Sequence, residues 1–136
     1  MPPRAPIVRA AGLKPTDGDP GRFEGAVRFA RIPPGEREDI DVAVVSFVDG
    51  ARTHWHSHGV EQILHALEGA GFLAFQDRVL PFSVGEVARI PAGVLHAHGA
   101  LAGRALTHLS VTVGGTQWPD PPQRVPLVRD RDLSGR

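Results

Sequence analysis

The chain has 136 residues, of which 41% are hydrophobic and 22% are charged, so it is predicted to form one folded domain. Fifteen basic and fifteen acidic residues give zero formal charge, which argues against nucleic acid as a partner. No stretch is apolar enough for a membrane span or a signal core, so we expect a cytoplasmic protein without a membrane partner. The chain has no cysteine, so a bound metal would need histidine, carboxylate or amide ligands.

Sixteen glycines and thirteen prolines interrupt the chain at short intervals, which favours short strands over helices. We predict an all-β protein with eight strands, and this number suits a sandwich or a jelly-roll β-barrel. The strands are expected at residues 25–32, 41–48, 52–58, 62–68, 71–76, 86–90, 94–98 and 104–113. In the last strand Leu106, His108, Ser110 and Thr112 are expected to share one face, because side chains alternate between faces with a period of two.

The two ends of the chain carry proline, glycine and arginine with little periodicity. We therefore predict an extended N-terminal arm at residues 1–22, a β-barrel at residues 23–115 and an extended C-terminal tail at residues 116–136. Both segments are typical of frayed termini. Alternatively, the arm with Ile7 and Val8 adds a strand to the sheet of a second subunit.

Two histidine segments are the main functional signal. His54, His56 and His58 lie in the sequence THWHSH, and the two-residue spacing places them on one face of a strand. On its own this pattern also fits a solvated polar face. The second segment, GEVARIPAGVLHAH, brings His96 after a Pro-x-Gly turn, and the two segments together favour one shared metal ion because first-row metals prefer imidazole donors.

These segments resemble the two motifs of the cupin family. The first motif, G-x5-H-x-H-x3-E-x6-G, has Gln62 where the family usually has Glu, and the second, G-x5-P-x-G-x2-H-x3-N, has Ala100 where the family often has Asn. The matching positions are Gly50, His56, His58, Gly69, Gly85, Pro91, Gly93 and His96. The resemblance implies a single cupin jelly-roll β-barrel.

An alternative register remains open at the first motif. His54, His56 and Glu61 spell H-x-H-x4-E, but Gly50 then precedes the first histidine by too few residues and Gly69 is displaced by one. We prefer the register of His56 and His58. In that register Glu61 is an exposed charge.

The resemblance implies one divalent transition-metal ion held by four side chains. The ligands would be His56, His58, Gln62 and His96, with manganese as first choice and iron, zinc, nickel or copper as alternatives. Since an amide oxygen is neutral, the ion would keep more positive charge than beside a carboxylate. Such an ion is a Lewis acid that can polarise a carbonyl or stabilise an alkoxide.

Among cupins this ligand set is similar to that of the small bacterial hydroxynitrile lyases. The likeness implies His108 as general acid or base, because an imidazole titrates near neutral pH. It also implies that Thr53 hydrogen-bonds a substrate oxygen. The substrate pocket would be lined by Ala43, Val45, His54 and Thr112, and His98 is expected to support its mouth.

The predicted function is therefore Lewis-acid and general-base lyase chemistry on a small carbonyl or cyanohydrin substrate. Alternatives are a cupin dioxygenase, isomerase or cyclase acting on a small aromatic or polyketide-like substrate, and a non-catalytic cupin that binds a small molecule. Family members of this size pair through their sheets, so a homodimer or a higher homo-oligomer is expected.

Overall fold

A computed structural model describes residues 7–134. Residues 1–6 of the predicted arm and residues 135–136 of the predicted tail lie outside the described residues. The described chain contains twelve strands and two short 3-10 helices, at Ala10–Gly12 and Asp130–Asp132. The strands are β1 (Thr16–Asp17), β2 (Phe23–Glu24), β3 (Val27–Arg31), β4 (Ile40–Phe47), β5 (Arg52–Thr53), β6 (Ser57–His58), β7 (Glu61–Phe75), β8 (Arg78–Ser83), β9 (Val87–Pro91), β10 (Ala97–Ala100), β11 (Leu106–Val113) and β12 (Thr116–Gln117).

The strands form an antiparallel jelly roll whose two sheets share β7. In one sheet the order is β1-β3-β4-β11-β7-β9, and in the other it is β8-β7-β10-β5-β2. The short strands β6 and β12 pair with each other at the side of the barrel. This architecture confirms the predicted all-β jelly-roll barrel.

The bend of β7 corrects the prediction of two separate strands at residues 62–68 and 71–76. The first half of β7 pairs with β11 and β9, and the second half pairs with β8 and β10. A β-bulge, seen as a register shift between Thr107 and His108, lies close to Gly69, which has a φ of 85°. Because a bulge and a glycine absorb the bend, the strand crosses from one sheet to the other without ending.

Two other strands differ from the sequence predictions. β8 was missed, although it forms a hairpin with the end of β7 and Leu73 faces Leu80 in its register. The predicted strand at 52–58 is divided into β5 and β6, and between them only His56 forms a bridge, to His96. The strand is therefore interrupted between Thr53 and Ser57, in the segment that carries His54 and His56.

The interior of the barrel changes from apolar to polar along β11. Its inward residues are Leu106, His108, Ser110 and Thr112, which confirms the predicted alternation. Leu106 packs in an apolar core with buried side chains from both sheets, among them Val45, Phe47, Leu64, Phe82 and Ile90. The apolar core fills one end of the barrel, and the polar positions of β11 leave the other end for a site.

Both flanking segments contact the barrel. β1 pairs with β3, and the tail buries Val125 and Val128 beside the second sheet. The backbone N–H of Ala102 donates to the carbonyl of Val128 at 2.8 Å. Among residues 7–134, no helix has the length and apolar character needed to cross a membrane.

Candidate active site

Three buried histidines converge at the polar end of the barrel. His56 and His96 exchange backbone hydrogen bonds of 2.9 Å, so this bridge holds the two segments of the histidine motifs together. His58 follows in β6. One ring nitrogen from each of the three lies within 4.8 Å of the others, and all three side chains are buried.

The outer nitrogens of these rings are fixed by backbone carbonyls. His56 Nδ1 bonds to the carbonyl of His54 at 2.9 Å, His96 Nδ1 to that of Val94 at 2.9 Å, and His58 Nδ1 to that of Gly115 at 3.2 Å. A carbonyl only accepts, so each Nδ1 carries the hydrogen and each Nε2 offers a lone pair. This tautomer is the one that a metal-binding histidine needs.

Gln62 completes the donor set. Its Nε2 donates to Ser110 Oγ at 3.2 Å and to Thr112 Oγ1 at 3.0 Å, which turns its Oε1 towards His96 Nε2 at 3.0 Å. In this orientation two acceptors face each other, and the buried Nε2 of His58 has no hydrogen-bond partner among residues 7–134. A cation among these atoms would relieve both features, so the residues fit a divalent transition metal.

Burial keeps the three rings neutral. It lowers the pKa of His56 well below 6.5 and also lowers that of His58, while the pKa of His96 falls to about 4. The neighbouring imidazoles add to the effect for His56 and His96, because two charged rings would repel each other. Neutral imidazoles at pH 7 are ready to bind a metal without first losing a proton.

A second pair of histidines lies beside the first three. His108 Nε2 and His98 Nδ1 are 3.1 Å apart, and the ring centroids of His98 and His56 are 5.3 Å apart. Burial lowers the pKa of His98 well below 6.5 and that of His108 to about 4. His98 is buried inside the barrel, which corrects its predicted place at the mouth. In β10 it pairs with Leu73 of the bent β7, and because paired residues share a face and Leu73 belongs to the core, His98 also faces inward.

A cavity of about 300 Å³ opens from these histidines to the surface. The predicted residues Thr53, His108, Ala43, Val45 and Thr112 all line it. Thr53 is buried, and its Oγ1 accepts a hydrogen bond of 3.2 Å from the backbone N–H of His98, which leaves the hydroxyl hydrogen free to donate.

His54 was predicted to line this cavity, and the structure places it elsewhere. Its Nε2 lies 3.2 Å from Glu24 Oε1, so the ring is directed at β2. Glu61, the acid of the alternative motif register, forms an ion pair of 2.8 Å with Arg89. Neither residue joins the group of His56, His58 and His96.

Several lining residues were missed from the sequence. Phe23, Phe29 and Trp118 form an aromatic wall, with Phe23 at a centroid distance of 5.3 Å from Phe29 and 5.6 Å from Trp118. Trp118 also stacks on the His56 ring at 4.6 Å. Its place in the predicted tail concealed it, although a tryptophan among polar residues and prolines was a usable signal.

Comparison with known sequences gives two matches to this chain. Residues 43–112 match the cupin domain family. An (R)-mandelonitrile lyase from Granulicella tundricola is 37% identical over 107 residues, which cover 76% of this chain and 77% of the relative. The family match contains every predicted metal ligand as well as His108, while Phe23, Phe29 and Trp118 lie outside it.

Solved structures of the same architecture include a cupin-like protein from Thermotoga maritima. It has a TM-score of 0.77 and 29% identity, covering 89% of this chain and 95% of that protein. A polyketide cyclase from Streptomyces resistomycificus has a TM-score of 0.68 and 24% identity, covering 96% and 89%. A predicted oxalate decarboxylase from T. maritima has a TM-score of 0.72 and 22% identity, covering 80% and 99%. The last two likenesses concern the fold alone.

Proposed function

Because the chain belongs to the cupin family, we propose that it is a metal-dependent lyase that reversibly cleaves a cyanohydrin to an aldehyde and hydrogen cyanide. The observation that carries the proposal is the closeness of two sets of histidines in one cavity. One set, His56, His58 and His96, has its free Nε2 atoms turned inward beside a neutral Gln62. The other, His98 and His108, lies outside the metal-like group found among residues 7–134, and the 3.1 Å contact between His108 Nε2 and His98 Nδ1 suits proton transfer. The 37% identity to a mandelonitrile lyase supports the same chemistry.

The metal would be bound by His56, His58, His96 and Gln62, and manganese is the first candidate. A divalent ion held by these neutral ligands would supply Lewis acidity for the cyanohydrin oxygen or for cyanide. Gln62 contributes through its neutrality, since a carboxylate at this position would reduce the positive charge felt by the substrate.

His108 is proposed to move the proton. Its Nε2 is engaged by His98 Nδ1, while its Nδ1 has no hydrogen-bond partner among residues 7–134. His108 Nδ1 would take the hydroxyl proton of the cyanohydrin during cleavage and return it to cyanide. The low pKa of His108 keeps the ring neutral at neutral pH, and with the ring hydrogen on Nε2, donated to His98 Nδ1, the Nδ1 atom would hold the lone pair that acts as the base.

Thr53 is proposed to orient the substrate. Its oxygen accepts from the backbone of His98, so its O–H is left to donate to the carbonyl or cyanohydrin oxygen. The apolar side chains of Ala43 and Val45 line the same cavity and would exclude water from the reacting carbon.

The test is mandelonitrile cleavage by protein loaded separately with Mn, Fe or Zn, with bound metal measured by elemental analysis. We expect turnover that disappears in His108→Ala while metal content is kept. The matched control is His65→Ala, because His65 is exposed on β7. Stoichiometric metal without cyanohydrin cleavage would reject the lyase proposal, and oxygen consumption with Fe(II) would favour the dioxygenase alternative.

A further inference from the structure

The aromatic wall of the cavity has no role in the proton and metal chemistry. Phe23, Phe29 and Trp118 are each half-buried and line the cavity between the histidines and the rim. Their rings meet edge to face, at interplanar angles of 70° and 65°. When a ligand covers aromatic surface that is partly exposed in a cavity, apolar area is removed from water, and this favours binding. The wall is therefore a binding surface that the proposed lyase mechanism leaves unassigned.

Two arginines support this wall from the rim. Arg31 Cζ lies 4.7 Å from the centroid of Phe29, and Arg22 Cζ lies 5.5 Å from that of Trp118. A guanidinium over an aromatic ring holds the ring in place through its quadrupole. Neighbouring side chains therefore restrict the movement of the wall, which favours rings that keep their positions in the absence of a ligand.

The charges at the rim do not favour an anionic ligand. The cavity is lined by Asp17, Asp19 and Asp41 but only by Arg22 and Arg31. Arg22 lies 3.9 Å from Asp19, and Arg31 lies 3.6 Å from Asp41. Both lining arginines therefore have an acidic partner, and Asp17 is paired with Arg28 at 3.5 Å, so the lining residues offer an entering carboxylate no unpaired positive charge.

Trp118 links the wall to the reacting end of the cavity. Its ring stacks on His56 at a centroid distance of 4.6 Å and an interplanar angle of 29°. The segment before Trp118 also orients the candidate metal-binding residue His58, because Gly115 and Thr116 both contact His58 Nδ1. A ring bound against Trp118 would therefore lie beside the candidate metal centre.

We propose that Phe23, Phe29 and Trp118 form a subsite for a neutral aromatic ring, and that Trp118 determines the preference for aryl over alkyl ligands. Trp118 lies outside residues 43–112, so this determinant is supplied by the segment that follows the barrel strands. The identity of the reacting group on that ring rests on the proposed lyase function. The preference for a neutral aromatic ring does not.

Binding can be measured without turnover. The chain has two tryptophans, and Trp55 packs outside the cavity, so Trp55→Phe leaves Trp118 as the fluorescent reporter. We expect benzyl alcohol to change the Trp118 emission saturably in the metal-loaded protein. Cyclohexylmethanol and 4-(hydroxymethyl)benzoate should bind roughly tenfold more weakly, because they lack the flat ring or its neutrality.

Substitution of Trp118 is the second arm. By calorimetric titration, Trp118→Leu should weaken benzyl alcohol binding roughly tenfold and leave cyclohexylmethanol unchanged, with Trp118→Phe restoring most of the loss. Equal affinity for the two alcohols, or equal losses for both in Trp118→Leu, would overturn the subsite. If aryl selectivity is found but no cyanohydrin is cleaved, the lyase proposal fails and the subsite stands.

Discussion

At the residue scale, Gln62 is the position where this chain departs from the usual cupin ligand set. Gln62→Glu replaces a neutral oxygen donor by a carboxylate of nearly the same shape. We predict that the variant retains divalent metal longer against EDTA and loses roughly tenfold in the rate of cyanohydrin cleavage. Metal content by elemental analysis and kcat for mandelonitrile are the two measurements.

Gln62→Leu is the matched control, because it removes the oxygen donor and the hydrogen bonds to Ser110 and Thr112 together. Metal retention and activity should then fall in parallel. A Gln62→Glu protein that cleaves mandelonitrile as fast as the native chain would contradict the role assigned to the neutral amide.

His108 gives a pH prediction for the metal-free protein. Burial lowers its pKa from 6.5 to about 4, so the native state binds a proton at His108 less readily than the unfolded chain does. Above pH 6.5 the ring is neutral in both states, and His108 does not reduce the free energy of unfolding. That free energy decreases as the pH falls from 6.5 towards 4, because the unfolded chain then binds the proton first. The full shift corresponds to about 3 kcal/mol.

Urea denaturation in EDTA between pH 7 and 4 measures this effect. His108→Leu should reduce the pH dependence of the free energy of unfolding but not abolish it, since burial also lowers the pKa of His56 and His98. His65→Leu, at an exposed position of β7, is the control. An unchanged slope in His108→Leu would show that His108 does not have a lowered pKa in the native state.

Sequence spacing predicted some of these residues and not others. The two histidine motifs identified His56, His58 and His96, because a fixed spacing along strands brings inward side chains to one place. His98 was misplaced and Trp118 was missed, since their positions depend on how β10 pairs with the bent β7 and on where the tail packs. Such long-range contacts leave no periodic signal in a single sequence.

At the element scale, the bend of β7 depends on Gly69. Its φ of 85° is unfavourable for other residues, and an added Cβ would collide with the backbone oxygen of Ala105. Gly85 has a similar φ of 88° but no atom within 4 Å of an added Cβ. We predict that Gly85→Ala costs about 1 kcal/mol, the strain of the backbone alone, and that Gly69→Ala costs a further ~1–3 kcal/mol.

The free energies of unfolding of the two variants in urea test this difference. Equal losses would mean that β7 relaxes around the added methyl group, and that the close approach to β11 is not needed for the bend. The same feature explains the incorrect strand prediction, because glycine in a sequence is read as a strand end. Here a bulge let Gly69 continue the strand instead.

At the scale of the whole molecule, composition and turn spacing were sufficient to predict an all-β sandwich or jelly roll, and the resemblance to the cupin motifs selected the jelly roll. They did not predict that both flanking segments pack on the barrel, with β1 on β3 and with Val125 and Val128 buried beside the second sheet. These segments have irregular sequences, so their contacts depend on single side chains. The tail also supplies Trp118 to the cavity and Thr116, whose Oγ1 lies 3.1 Å from His58 Nδ1.

The candidate metal centre joins distant parts of this fold, which gives a prediction for the whole chain. His58 lies in β6, and His96 precedes β10, so a bound ion would add to the bridge at His56 and to the hydrogen bond of 2.9 Å from the Gly93 N–H to the His58 carbonyl. An ion that binds only the native state stabilises it by about 2.7 kcal/mol at a hundred times its Kd, a shift in Tm on the order of 10 °C. We therefore expect added Mn²⁺ to raise the Tm of the native chain and of His65→Ala, and EDTA to reverse the rise. His58→Ala should show no such rise, and a metal-dependent rise of equal size in His58→Ala would place the stabilising ion at some other site.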